Sequence, residues 1–186
     1  RRESLQQRCE VAANLVNGGH GQWLVWCDLN AESELLCKLI KKSRDVKGSD
    51  DVLYKQRCME AFTNKRLKCL ISKPKIAGFG MNWQNCHNII FVGLSDSYEQ
   101  YYQAVRRCWR FGQKHDVNVY IVIAAKEGCV KQNIERKQAD VSRMQKAMSE
   151  LTKEITKKEL RKTVRMIEKY NAERKIILPE WSECEK

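Results

Sequence analysis

The chain has 186 residues, 42% of them hydrophobic, with only 2 prolines and a formal net charge of +12. That is enough apolar material and length for one substantial core, or for one domain and an extension, and it excludes wholesale disorder. No apolar run approaches the ~18 residues of a membrane span and there is no signal-peptide pattern, so a soluble, non-secreted protein is expected.

The sequence pI of about 9.3 raises the expectation of a polyanionic partner, nucleic acid first among them, without identifying one. The 9 cysteines are odd in number and scattered, with no C-x-x-C. They read as reduced thiols filling a core, and not as a disulfide framework or a zinc site. Cys86-His87 is a metal-type pair with no second pair at ligand spacing, so no metal site is expected. The chain starts at Arg1 and not at Met, and is expected to be a piece of a longer protein.

In chain order, residues 1–17 read as a helix stopped by Gly18-Gly19. Trp23–Cys27 is an apolar run of strand type. Asn30 is placed to cap a second helix with Leu35, Leu36, Leu39 and Ile40 inward. Residues 46–48 form a brief strand or turn, and Asp50 or Asp51 opens a helix running to about Asn64. Leu67–Ile71 is a strand, followed by a loop from Ser72 to Trp83, and Asn88–Val92 is another. A helix then opens at Ser97, with Gln100 three residues on in a capping-box pattern, and Gly112 marks its stop. Val117–Ile123 is the last strand. Strands and helices alternate across short connections and the strands are apolar on both faces. This predicts an α/β domain with a parallel sheet flanked by helices.

Beyond Ala125 the character changes. Lys131 to Lys175 holds 14 Lys/Arg against 7 Asp/Glu, and Val141, Met144, Met148, Leu151 and Ile155 follow a 3-4-3-4 spacing. The pattern predicts an amphipathic, coiled-coil-like helix, packed on its own domain or on a neighbour, or else serving as a basic arm over nucleic acid. Ile176–Trp181 is an apolar patch, a partner site or a return to the core.

Two segments carry chemistry. Ser72-Lys-Pro-Lys-Ile-Ala-Gly-Phe-Gly-Met-Asn82 follows a strand, where open parallel sheets bind ligands. Gly78 and Gly80 permit close backbone approach, and Ser72, Lys73 and Lys75 suit a sugar-phosphate backbone. Read alone, the segment is equally an ordinary tight connection. Gln103-Ala-Val-Arg-Arg-Cys-Trp-Arg-Phe-Gly-Gln113 places Gln103, Arg107 and Arg110 within about 60° on a helix. Arginines held on a packed helix suit a phosphate. The same stretch, by itself, is equally a solvated basic face.

Together these stretches resemble the second RecA-like lobe of superfamily 2 helicases and translocases, closest to the Snf-type chromatin-remodelling ATPases with their bacterial and phage DEAD/DEAH-like relatives. Lys75, Gly78, Gly80 and Asn82 match that family's motif V. Gln103, Ala104, Arg107, Arg110, Gly112 and Gln113 match its motif VI, and Val-Asn-Val-Tyr follows as in the family. The chain departs from the pattern at Lys73-Pro74, where the family has Ser-Thr, at Trp109 in place of a His, and in the extra Arg106.

The resemblance implies a leading helix over 1–19, a RecA-like lobe over 20–137 and a basic helical extension over 138–186. It implies that Arg107 and Arg110 are arginine fingers for ATP, and that Gln103, Gly80 and Asn82 lie at the nucleotide. Ser72, Lys73, Lys75 and Gly78 would hold nucleic acid, DNA before RNA. Neither a P-loop nor an acidic magnesium box occurs in the sequence. ATP and Mg²⁺ would therefore be held by an N-terminal lobe, and this lobe alone would be inactive. A non-catalytic nucleic-acid-binding or protein-docking module on the same fold is the alternative. The resemblance places the protein in the cytoplasm of a bacterial or phage-infected cell, or in a eukaryotic nucleus.

Overall fold

In the computed structural model the described residues are 4–76, 81–124 and 128–162, with side chains as far as 157. Five strands, β1 (Trp23–Cys27), β2 (Ser43–Val46), β3 (Cys69–Ser72), β4 (Asn88–Val92) and β5 (Asn118–Val122), form one sheet in the order β2-β3-β1-β4-β5. Every neighbouring pair is parallel. β1, β3 and β4 are buried along their whole length, which explains their unbroken apolar runs. The expected parallel α/β architecture is the one observed. The edge strand β2 lies a few residues earlier than the 46–48 expected for it, because its alternating Ser-Arg-Asp-Val pattern buries only its two ends.

Alternation within β1 divides the core. Leu24 and Trp26 point into one cluster with Val46, Cys58, Phe62, Trp83, Ile89 and Phe91. Trp23, Val25 and Cys27 point into the other, with Cys9, Ala12, Val16, Leu36, Ile71 and Ile90. Helices α1 (Leu5–Gly18) and α2 (Asn30–Leu39) cover the second face. The first face is covered by α3 (Val52–Thr63), α4 (Tyr98–Val105) and, through Ile134, the start of α5 (Gly128–Lys162). Six of the cysteines are buried as free thiols, as their apolar neighbours predict.

Helix starts follow local chemistry. Asp51 caps α3 by accepting from the Leu53 N–H at 3.0 Å, and Ser97 caps α4 by accepting from Gln100 N at 3.3 Å. At α2 the expectation fails: Asn30 is already helical, and the Glu32 carboxylate instead reaches back to accept from the N–H groups of Asp28 and Leu29, both at 3.0 Å. Glu32 can do this because its other oxygen is held at 2.8 Å by Arg8 of α1, an ion pair whose partners are 3% and 1% exposed. The pair locks α1 and α2 together beneath Gly93, whose positive φ of 81° lets the chain turn out of β4. A Cβ at Gly93 would stand 2.6 Å from Arg8 Nη1.

The chain divides into two units between Ser142 and Arg143. In the second unit, Met144, Met148, Leu151 and Ile155 are exposed. Gly78, Gly80 and the Ile176–Trp181 patch lie outside the described residues.

Replacing Glu32 by Ala removes the carboxylate that pairs with buried Arg8 and accepts from the Asp28 and Leu29 amides ahead of α2. A loss of roughly 3–5 kcal/mol in urea-unfolding free energy is expected.

Candidate nucleotide and nucleic-acid interface

A parallel sheet sends every strand out at the same edge, so a chain leaving one strand must cross back before it enters the next. This fixes the two candidate segments. Residues 73–76 lie at the carboxyl edge, just past Ser72 at the end of β3, where Ile76 N donates to Lys73 O at 2.9 Å in a turn. By Trp83 the same connection has reached the amino edge, five residues ahead of β4. The stretch after α4 ends there too: the Asn118 N–H at the start of β5 bonds to His87 O at 2.8 Å. Both segments were expected beyond the carboxyl ends of the strands. The lysines are there, but the arginines are at the opposite edge, because α4 has carried the chain back along the sheet.

At the amino edge the two segments are sewn together. Trp83 N donates to Arg107 O at 2.9 Å. The Gln113 carboxamide Nε2 lies within hydrogen-bonding range of the carbonyls of Gln84 (3.1 Å), Cys86 (3.2 Å) and Cys108 (3.1 Å). Gln84 Nε2 donates in return to the Phe111 carbonyl. Trp83 is itself fully buried, edge-on to Phe62 with ring centroids 5.6 Å apart.

This stitching also changes the helix. α4 ends at Val105 and not near Gly112. Arg107 N and Cys108 N bond to Ala104 O and Val105 O three residues back, and Arg107 O is taken by Trp83 instead of a later amide of its own helix. Gln103, Arg107 and Arg110 therefore do not share one helical face. Gln103 is exposed on α4, Arg107 is buried in the turn after it, and Arg110 follows in a bend, half-buried. Gly112 adopts φ 90° in the next turn.

Arg107 is 5% exposed, and its Nε has no hydrogen-bond partner. Burial, then the nearby Arg110 charge, push its pKa below the usual arginine value. It stays cationic all the same, since a guanidinium does not deprotonate at neutral pH. Among the described residues no carboxylate pairs with it. Arg106, the rival arginine, is engaged otherwise: its guanidinium lies 6.0 Å from the Tyr102 ring centroid and 5.4 Å from that of Trp109. Trp109, standing where the family has His, thus holds a neighbouring arginine.

Asn82 is exposed at the amino edge, beside Trp83. Lys75 is exposed and Lys73 half-buried at the carboxyl edge. Ser72 does not join them. It is 1% exposed and its hydroxyl donates to Val46 O at 3.1 Å, so it serves the sheet. Cys86 is fully buried, its thiol against the carbonyls of Gln22 and Asn88.

The model of the helicase conserved C-terminal domain matches residues 7–112, more than half of the chain. The chain belongs to that family. This helicase C-terminal domain is 29% identical over 107 residues to Protein CHROMATIN REMODELING 20 of Arabidopsis thaliana, covering 54% of the chain and 7% of that protein. It is 30% identical over 108 residues to the TATA-binding protein-associated factor MOT1 of Saccharomyces cerevisiae, covering 54% and 6%. The match therefore spans only a small fraction of either relative. Among solved structures, the C-terminal part of the Fun30 ATPase domain superposes with a TM-score of 0.56 at 24% identity, covering 61% of this chain and 39% of that one. The C-terminal domain of the DEAD-box protein Dbp5 does so at 0.60 and 16%, covering 72% and 79%. Both share the RecA-like fold.

What the sequence did not reveal is the role of Gln113. It matched a motif position, but only the fold brings three carbonyls around its amide. Replacing Gln113 by Leu should lower unfolding free energy by about 1–3 kcal/mol and speed hydrogen exchange at the Trp83 amide about tenfold. An unchanged Trp83 exchange rate would mean that the two segments hold together without it.

Proposed function

We propose that this helicase C-terminal domain is the second lobe of a two-lobe, nucleic-acid-dependent ATPase of Snf type. Its arginines act on ATP held, with Mg²⁺, by an N-terminal lobe. The observation that carries this reading is Arg107: a buried, permanently charged guanidinium with an unbonded Nε and no acidic partner among the described residues, at the family's motif VI position. A buried charge of this kind is costly unless an anion reaches it, and a nucleotide γ-phosphate is an anion of suitable shape and charge.

In the proposed mechanism Arg107 and Arg110 offset the negative charge that shifts during phosphoryl transfer, the work of an arginine finger, which is worth roughly 10³–10⁵ in rate. Gln103 and Asn82, both exposed, contact the nucleotide, and Gly80 lets the backbone approach it. Lys73 and Lys75, with Gly78 in the same connection, grip the nucleic-acid backbone at the other edge. DNA is proposed over RNA, in keeping with the names of the two curated relatives. Residues 73–76 stand at the lysine edge and Trp83 at the arginine edge, and in the proposed mechanism the connection they belong to couples lobe closure around ATP to the grip on nucleic acid. By itself the domain hydrolyses no ATP.

In the protein carrying both lobes, Arg110→Ala is expected to reduce nucleic-acid-stimulated ATPase by at least about 10³-fold with nucleic-acid affinity nearly intact. Normal turnover would remove Arg110 from the arginine-finger role. Lys75→Ala should weaken binding equally across sequences and flatten the dependence of log K on log salt by about 1. A salt slope equal to that of the parent protein would remove Lys75 from the backbone contact.

A further inference from the structure

The amino edge holds a second feature that the arginine reading does not use. Between the starts of β1, β4 and β5 lies a hollow of about 440 Å³, whose lining includes Gln22, Lys65, His87, Gln113, Lys114 and His115. Its lining holds four basic side chains, several amides and no carboxylate. The His87 and His115 rings face each other with centroids 5.0 Å apart. Neither lysine side chain makes an ion pair or hydrogen bond among the described residues. In a chain with 23 acidic residues, two lysines beside two histidines, with no acidic neighbour in the lining, make the hollow locally positive.

The floor is rigid. Gln22, nearly buried, donates through Nε2 to Phe62 O and Leu67 O, both at 2.8 Å. Its Oε1 accepts from Asn85 Nδ2 at 2.8 Å. Gln113, stitched as described above, forms one wall and accepts from His115 N at 3.1 Å. The rim is conformationally special. Gly21 (φ 76°), Lys65 (φ 59°) and Gly112 (φ 90°) are three of the five residues with positive φ among those described. Lys65 takes its left-handed conformation just past the end of α3, where Arg66 N bonds to Ala61 O at 2.8 Å.

We infer that this hollow is a phosphate-binding site, in which Lys65, Lys114, His87 and His115 converge on a phosphate group, either of a nucleic-acid backbone or of a free phosphate compound. None of Arg106, Arg107 and Arg110 lines it, so the inference stands or falls apart from the arginine assignment. Neutral imidazoles still donate one N–H each, and the two ammonium groups supply the charge. The glycines leave room for the anion to approach the backbone.

The test uses the 186-residue chain at fixed ionic strength, with inorganic pyrophosphate and a short single-stranded oligonucleotide titrated separately by calorimetry. At least one is expected to bind, and the double variant Lys65→Asn/Lys114→Gln should weaken that binding about tenfold or more. Asn is chosen at position 65 because it tolerates the left-handed conformation. Binding of pyrophosphate points to a free phosphate compound; binding of the oligonucleotide alone points to a backbone phosphate. Imidazole NMR shifts of the unaltered chain give a readout independent of the variants: His87 and His115 should move on titration, while His20 moves less. The inference is overturned if neither probe binds, if the double variant binds as tightly as the parent, or if the three histidines shift alike.

Discussion

Between Trp83 and Arg107 one backbone hydrogen bond joins two stretches that are far apart in sequence and that both carry the family's motifs. The Gln113 carboxamide extends the seam across Gln84, Cys86 and Cys108. Much of the site follows from this contact. It ends α4 at Val105, it turns Arg107 inward, and it anchors the connection from β3 to β4 at its far end. Trp83 can anchor it because its ring is fully buried against Phe62 and Trp26, so the amide that meets Arg107 is fixed by the core.

The parallel sheet separates the two chemistries. Lysines stand where β3 ends, arginines near where β4 and β5 begin, and the connection over 73–83 runs between them. Among the described residues of that connection, one end is held by the turn at Lys73–Ile76 and the other by the seam at Trp83.

Among the described residues two arginines are buried, and the difference between them is informative. Arg8 meets Glu32 at 2.8 Å in a sealed pair that fixes α1 against α2. Arg107 is buried to nearly the same degree and meets no carboxylate among the described residues, with Arg110 as its charged neighbour. A structural arginine is neutralised from within. The arrangement around Arg107 is the one expected when the neutralising charge comes from outside.

The sequence alone determined the three central strands, because fully buried parallel strands must be continuous apolar runs, and it determined the cap at Ser97 and narrowed that of α3 to Asp50 or Asp51, because these are contacts between residues two or three apart. It also carried the family, since the motif residues stand at fixed spacing in the chain. Other features needed the fold. Glu32 displaced Asn30 at the start of α2 because Arg8, 24 residues away, holds its carboxylate in place. Ser72 looked like a nucleic-acid contact until β2 brought the Val46 carbonyl to its hydroxyl. The positions of Arg107 and Arg110 were misread as one face of one helix, since helical periodicity assumes that each carbonyl is bonded within its own helix, and the carbonyl of Arg107 is bonded to Trp83. Local contacts are written in local spacing; which edge of the sheet a side chain reaches, and what it meets there, depends on partners that only the folded chain brings near.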